Sequence, residues 1–202
     1  MINEIRCSTF IDMCSDGNLK AVKEMLKDPE VDPAYDDNYA IQKAVYYGRV
    51  SIVKELLKDS RVDPSDDNNF ALCWAAESKK ADKTIELILK DPRVDPTEND
   101  NEPLITACRA ENYNVVKILL DDGRVNLNAR NGDAIHYILF NSDTFLPIIL
   151  NNKEFVKEVY NMYHKRYKNV VYDDIPLNMR SFLKSMFNVS TENELQTLLT
   201  II

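Results

Sequence analysis

One phrase returns along this chain at a near-constant interval: MLKDPEVDP at residues 25–33, LLKDSRVDP at 56–64, ILKDPRVDP at 88–96, and a worn LLDDGRVNL at 119–127. Its central valines, Val31, Val62, Val94 and Val125, stand 31, 32 and 31 positions apart. A fixed period of this size marks stacked repeats. A helical pair of about 30 residues cannot bury its apolar face alone, so neighbouring pairs must lean on one another around a shared core. The expected fold is therefore all-α, a solenoid of helix-turn-helix units with projecting loops.

The register extends beyond the phrase. Stepping by the same interval aligns Ile41, Leu72, Leu104 and Ile135, and likewise Leu26, Leu57, Leu89 and Leu120, all expected as buried anchors. Within the unit from Tyr39 to Pro64, AIQKAVYY reads as a first helix, Gly48 and Arg49 as a turn, and SIVKELLKD as a second helix. Ile41, Ala44 and Val45, then Ile52, Val53, Leu56 and Leu57, follow helical spacing on one face. An extended polar connector follows, where Pro64 fixes φ and Asp/Asn residues tolerate tight turns. Gly17 and Gly48 hold equivalent inter-helix turns, where glycine permits positive φ, but Lys79 and Glu111 take that place later. The later turns are thus either built differently or strained. The third unit also carries one extra residue, expected in its inter-helix turn.

These residues resemble the ankyrin-repeat family, whose unit of about 33 residues opens on Thr-Pro-Leu-His-x-Ala. The stretches 39–44, 70–75 and 102–107, with 133–136, match that opening by position, and Pro103 and His136 keep its proline and histidine. Ile52 to Leu57 and Val115 to Leu120 match the second helix more closely. The resemblance covers about residues 3–152. It implies units at 1–34 (a capping repeat), 35–65, 66–97 and 98–128, with a degenerate unit at 129–152. The connectors depart from the family by lacking its usual glycine and running short by about a residue, so their fingers are expected to be reshaped.

Residues 153–202 abandon the phrase and read as three amphipathic helices, with Thr191-x-x-Glu194 as a capping box. The preferred reading is a helical C-terminal cap, since solenoid ends need shielding. The stretch from Asp174 to Leu183 also resembles, over about ten residues, the Leu-Pro-led helix of F-box or SOCS-box segments. That resemblance implies an alternative function as a ubiquitin-ligase adaptor, the array selecting a target and residues 153–202 docking the ligase component.

Charge narrows the partner class. The formal net charge is -8, and residues 1–152 carry 18 basic against 27 acidic side chains. Many of the acids lie in connectors, including Asp32, Asp36, Asp37, Asp63, Asp66, Asp67, Asp95 and Asp100. Such an edge disfavours nucleic acid, whose binding needs basic neutralisation. It lacks the ligand spacing and central glycine of a calcium loop, so turn chemistry is the expected role of these acids. No run approaches the ~18 apolar residues of a membrane span, and the amino terminus lacks the plan of a secretion signal, which predicts an intracellular, cytoplasmic location. The Asn188-Val189-Ser190 glycan acceptor would then be idle.

Motifs for catalysis are missing. No phosphate-cradling glycine loop, nucleophile elbow or HExxH pattern occurs. His136 falls where the family resemblance implies a structural hydrogen bond between connectors, and His164 is expected on a solvated helix face. Of the four cysteines, Cys14 and Cys108 share a column with Val45 and Ala76 that asks for a small apolar residue. The expectation is a non-enzyme without cofactor or metal that binds another protein.

The resemblance places the binding surface on the fingers and on the exposed, concave side of the first helices. Register brings Lys43, Tyr46 and Tyr47 beside Trp74, Glu77 and Ser78, then Thr106 and Arg109, then Tyr137. Aromatic residues and arginine contribute disproportionately to protein interfaces. Tyr35, in the first connector, is a further exposed-aromatic candidate.

Overall fold

The computed structural model describes residues 2–127, 129 and 133–140, together with positions 180, 181, 184, 190, 191 and 193. Among the described residues there are nine α-helices and no strand. They are α1 (Ile2–Asp16), α2 (Leu19–Met25), α3 (Tyr35–Tyr46), α4 (Val50–Leu56), α5 (Asp66–Ala75), α6 (Asp82–Ile88), α7 (Glu98–Arg109), α8 (Tyr113–Asp122) and α9 (Asp133–Phe140). The chain divides into two compact units, Met1–Val125 and Asn126–Ile202. The second contains α9, on which Ala134 and Ile138 are buried. The three helices expected after Asn152 lie outside the described residues, apart from isolated positions.

The first unit is a two-layer stack. First helices pack on first helices, α1 on α3, α3 on α5 and α5 on α7, while α2, α4, α6 and α8 form the second layer in the same order. The small-residue column of Cys14, Val45, Ala76 and Cys108 is buried throughout, as are Ile41, Leu72 and Leu104. The Ile135 side chain, fourth in that series, lies outside the described residues. The leucine column is different. Leu89 and Leu120 are buried as expected, whereas Leu26 and Leu57 are only half-buried, and the residues just before the column at Leu56, Ile88 and Leu119 are completely buried. Leu26, Leu57 and Leu89 are the C-cap residues of α2, α4 and α6, where the helix is already ending at the margin of the core.

The connectors are turned, not extended. In each, an Asx turn comes first: the amides of Ala34, Ser65 and Thr97 donate to the carboxylates of Asp32, Asp63 and Asp95 at 2.8–2.9 Å. Three consecutive residues then adopt left-handed backbone at the start of α3, α5 and α7, ahead of the right-handed body of each: Asp36-Asp37-Asn38, Asp67-Asn68-Asn69 and Asn99-Asp100-Asn101, with φ between 50° and 61°. Asn and Asp tolerate this region better than other side chains, which is why the connector can dispense with glycine. The third residue of each triplet is buried. Asn38 Oδ1 accepts from the amide of Asp63 at 2.8 Å, and Asn69 Oδ1 from that of Asp95 at 3.0 Å, so the first two triplets are each locked to the next connector. After the last triplet Pro103 falls in the first turn of the α7 helix proper, where a missing N–H costs nothing.

The repeated phrase encodes a second tie. Arg61, Arg93 and Arg124 each pair with the aspartate two positions before them, Asp59, Asp91 and Asp122, at 2.6–2.7 Å. Each also donates through Nη1 to the preceding unit's valine carbonyl: Arg61 to Val31, Arg93 to Val62 and Arg124 to Val94. The first copy has Glu30 in place of arginine, and there Arg6 of α1 supplies the guanidinium to both Asp28 and Glu30.

The inter-helix turns realise both expected alternatives. Gly17 and Gly48 have φ of +88° and +68°, and Glu111 keeps the left-handed conformation at +51° as a side-chain-bearing residue. The third unit is built differently. Its turn runs from Ala76 to Ala81, absorbing the extra residue, with Lys79 no longer left-handed.

Candidate functional site

The first helices of the second and third units carry a continuous aromatic run. Tyr46 stacks on Trp74 with ring centroids 4.5 Å apart and meets Tyr47 edge-on at 5.1 Å. Tyr39 lies parallel to Trp74 at 6.0 Å, and Phe70 is tilted against it at the same separation. Lys43 stands over this group, its Nζ 4.8 Å from the Tyr39 ring, 4.7 Å from Trp74 and 5.8 Å from Tyr47. Helical spacing explains the assembly. Tyr39, Lys43, Tyr46 and Tyr47 share one side of α3 and its C-cap, and Phe70 and Trp74 share one side of α5, one and two turns apart. Aromatic and cation–π contacts of this kind are each worth about 0.5–1.5 kcal/mol.

The run stays open to solvent at its ends. Tyr47 and Phe70 are 36% and 41% exposed, while Lys43, Tyr46 and Trp74 are half-buried. Glu77, in the turn that follows α5, and Arg109, at the end of α7, are also exposed. Two of the predicted contact residues are internal instead. Ser78 is buried, its hydroxyl donating to the Tyr46 carbonyl at 2.6 Å, so it ties the third unit to the second. Thr106 is also buried, and its Oγ1 donates to Glu102 Oε1 at 3.3 Å. Tyr137 lies on α9 and is 36% exposed, within the second compact unit. Tyr35 is exposed at the start of α3. The side chain of His136 and the whole of His164 lie outside the described residues.

Tyr39 and Phe70 are the contact residues that register alone did not nominate. Both occupy the opening position of their units, aligned with Glu102 and Asp133, and two aromatic residues in one column was the available signal.

Between α5 and α7 the surface dips into a groove of about 370 Å³, floored by Cys73 and Thr106 and walled by Phe70, Trp74, Asp67, Glu77 and Glu102. The field there is negative. Burial first, and then the charges of Glu102, Glu98 and Asp67, push the Cys73 thiol up to about 12. Along the fingers a second, shallower depression gathers Asp63, Asp66, Asp67, Asp95 and Glu98. Three of these carboxylates are already engaged: Asp63 accepts from Ser65 and Asp95 from Thr97 within their turns, and Asp66 accepts from Asn38 of the preceding connector. Turn chemistry accounts for them. Among the described residues no group of histidine, cysteine or carboxylate side chains is arranged to hold a metal ion.

Two layers of paired helices, recurring Asx-turned connectors and a buried small-residue column describe one repeat architecture, and the family model for ankyrin repeats (3 copies) matches residues 10–100 and 72–160. The chain belongs to the ankyrin-repeat family. No curated protein matches it. Ankyrin repeats generally mediate protein–protein interaction and are typically non-catalytic.

Cysteine chemistry in this ankyrin array is that of packing. Cys7, Cys14 and Cys108 are buried and free, and burial raises the thiols of Cys14 and Cys108 to about 12, which keeps them protonated and unreactive. Among the described residues no helix is long and apolar enough to cross a membrane.

Proposed function

We propose that this chain is a non-catalytic scaffold that docks a partner protein on its first-helix face. The observation that carries the reading is the aromatic run from Tyr47 through Tyr46 and Trp74 to Phe70, which crosses two repeats without being sealed from solvent. Half-exposed aromatics held in place by their neighbours offer large contact area at small ordering cost. Lys43, Glu77 and Arg109 flank the run and would orient the partner by charge. Tyr137, in the second compact unit, is a further proposed contact residue, while Ser78 and Thr106 support the first-helix face from within. In this reading residues 35–65, 66–97 and 98–128 present the face, residues 1–34 are a capping repeat, 129–152 a degenerate repeat and 153–202 a helical cap. An intracellular setting suits the free cysteines.

The ligase-adaptor alternative depends on residues 174–183, of which only Arg180 and Ser181 are described. No observation favours it over a simple cap.

Comparative capture tests the docking face. Full-length protein, a first-helix variant (Tyr47→Ala with Arg109→Glu) and a second-helix variant (Lys54→Glu with Lys83→Glu) are each used as bait, with helical content checked by circular dichroism. The expected outcome is a set of proteins retained by the natural chain and the second-helix variant and lost by the first-helix variant. Equal capture by all three would refute the assignment.

A further inference from the structure

The groove between α5 and α7 differs from the rest of the first-helix face in combining aromatic walls with carboxylates. Phe70 and Trp74 line one side, and Asp67, Glu77 and Glu102 surround them. Its volume, about 370 Å³, is at the small end of the ~300–1,000 Å³ typical of ligand pockets. Asp67 and Glu77 are exposed and enter no ion pair among the described residues. Asp67 is held in left-handed backbone two positions before the locked Asn69, so its carboxylate is presented from a fixed turn.

The chain's own cations already test this surface. Lys43 rests on the Tyr39 and Trp74 rings, and the Arg109 guanidinium reaches to 3.8 Å from Glu102 at the far wall. Negative charge and an aromatic face thus converge on one recess. A planar guanidinium satisfies both at once, stacking on a ring while its N–H groups fork onto carboxylates, which a compact ammonium does less well.

We infer that this groove seats an arginine side chain from an extended, basic segment of the partner. The inference rests on the docking-face reading and specifies the chemistry of its occupant. The segment would run between the α5 and α7 helices, with the guanidinium against Phe70 and Trp74 and its donors directed to Asp67, Glu77 and Glu102.

Trp74 is the sole tryptophan, so its fluorescence and its indole Nε1–H resonance report occupancy directly. The probe is a short glycine–serine peptide with a single arginine, compared with its citrulline and glutamate counterparts on the full chain. A saturable Trp74 response to the arginine peptide alone is expected, fading as salt rises. Glu77→Gln and Asp67→Asn should each weaken it about two- to fivefold. Glu86→Gln on α6 should leave it unchanged, which separates the groove from general attraction to an acidic protein. An equal response to citrulline, or no response to arginine, would overturn the inference. In either case the capture comparison above still decides separately whether the face docks a protein.

Discussion

The margin of the array formed by the second helices and connectors repeats itself, whereas the face formed by the first helices does not. Along the margin the same arginine, aspartate and valine recur in unit after unit and make the same bonds, as at Arg61, Arg93 and Arg124. Along the face, Tyr39, Phe70 and Glu102 stand at one equivalent position, and Tyr46, Glu77 and Arg109 at another. A position that recurs is answering a demand made identically by every unit, which is the demand of stacking. Positions that vary within a repeat are released from that demand, and there partner recognition can be written.

The sharpest way to break the margin is at a turn. A methyl group on Gly48 would collide with the Lys80 carbonyl oxygen, and its φ of +68° is already costly for alanine. Gly48→Ala should therefore destabilise by about 2–5 kcal/mol, the sum of a left-handed alanine and a backbone that must shift. Gly17→Ala meets only the flexible Arg49 side chain at 3.3 Å and should cost less. Urea denaturation of the two variants makes the comparison, and equal losses would mean that the close approach to Lys80 carries no energy.

The triplet lock comes next. Asn69→Ala removes the acceptor for the Asp95 amide in a partly buried hydrogen bond and places alanine in left-handed backbone, for a loss of about 2–4 kcal/mol. Asn69→Gly restores the backbone freedom but not the hydrogen bond. Its midpoint should fall between those of Asn69→Ala and the natural chain, and a glycine variant no better than alanine would assign the whole effect to the bond.

Arg93→Ala tests the recurring staple. It deletes the pair with Asp91 and the bond to the Val62 carbonyl, for about 1–2 kcal/mol given that the guanidinium is partly exposed. The same staple predicts a pH dependence. Hydrogen bonds from Arg61 and Arg93 lower the carboxyls of Asp59 and Asp91 below their ordinary range. A lowered folded-state value means this stability is complete above the unfolded aspartate value of ~3.9 and drains away as pH falls through the folded one. Arg93→Ala should therefore show a shallower acid loss than the natural chain below about pH 4.

The margin and the face also differ in how far they were legible beforehand. The small-residue column, and the valine column through Val31, Val62 and Val94, were visible because burial acts copy after copy and leaves a periodic trace. The leucine column held at Leu89 and Leu120 but not at Leu26 and Leu57, since Leu57 at the end of α4 and Leu56 within it are equally apolar, and only the point where the helix stops decides which one is enclosed. The arginine staple was visible as a pattern but not as a mechanism. Its carbonyl acceptors belong to the backbone of the preceding unit and have no side-chain signature. On the face, Trp74 and Tyr46 could be nominated from register. The burial of Ser78 could not, because it follows from the lengthened turn of its own unit, which carries the hydroxyl to the Tyr46 carbonyl.

The face itself should be the cheapest region to alter. Tyr47→Ala and Phe70→Ala remove rings that are more than a third exposed and edge-on or tilted to their neighbours, so each should cost about 0.5–1 kcal/mol, far below the turn and triplet variants. Their effect on association should run the other way, because a ring that stacking tolerates losing is one that stacking never required. If thermal denaturation showed either substitution to be as damaging as Asn69→Ala, the aromatic run would be part of the scaffold, and the division between a repeating margin and a variable face would fail at the place where it matters most.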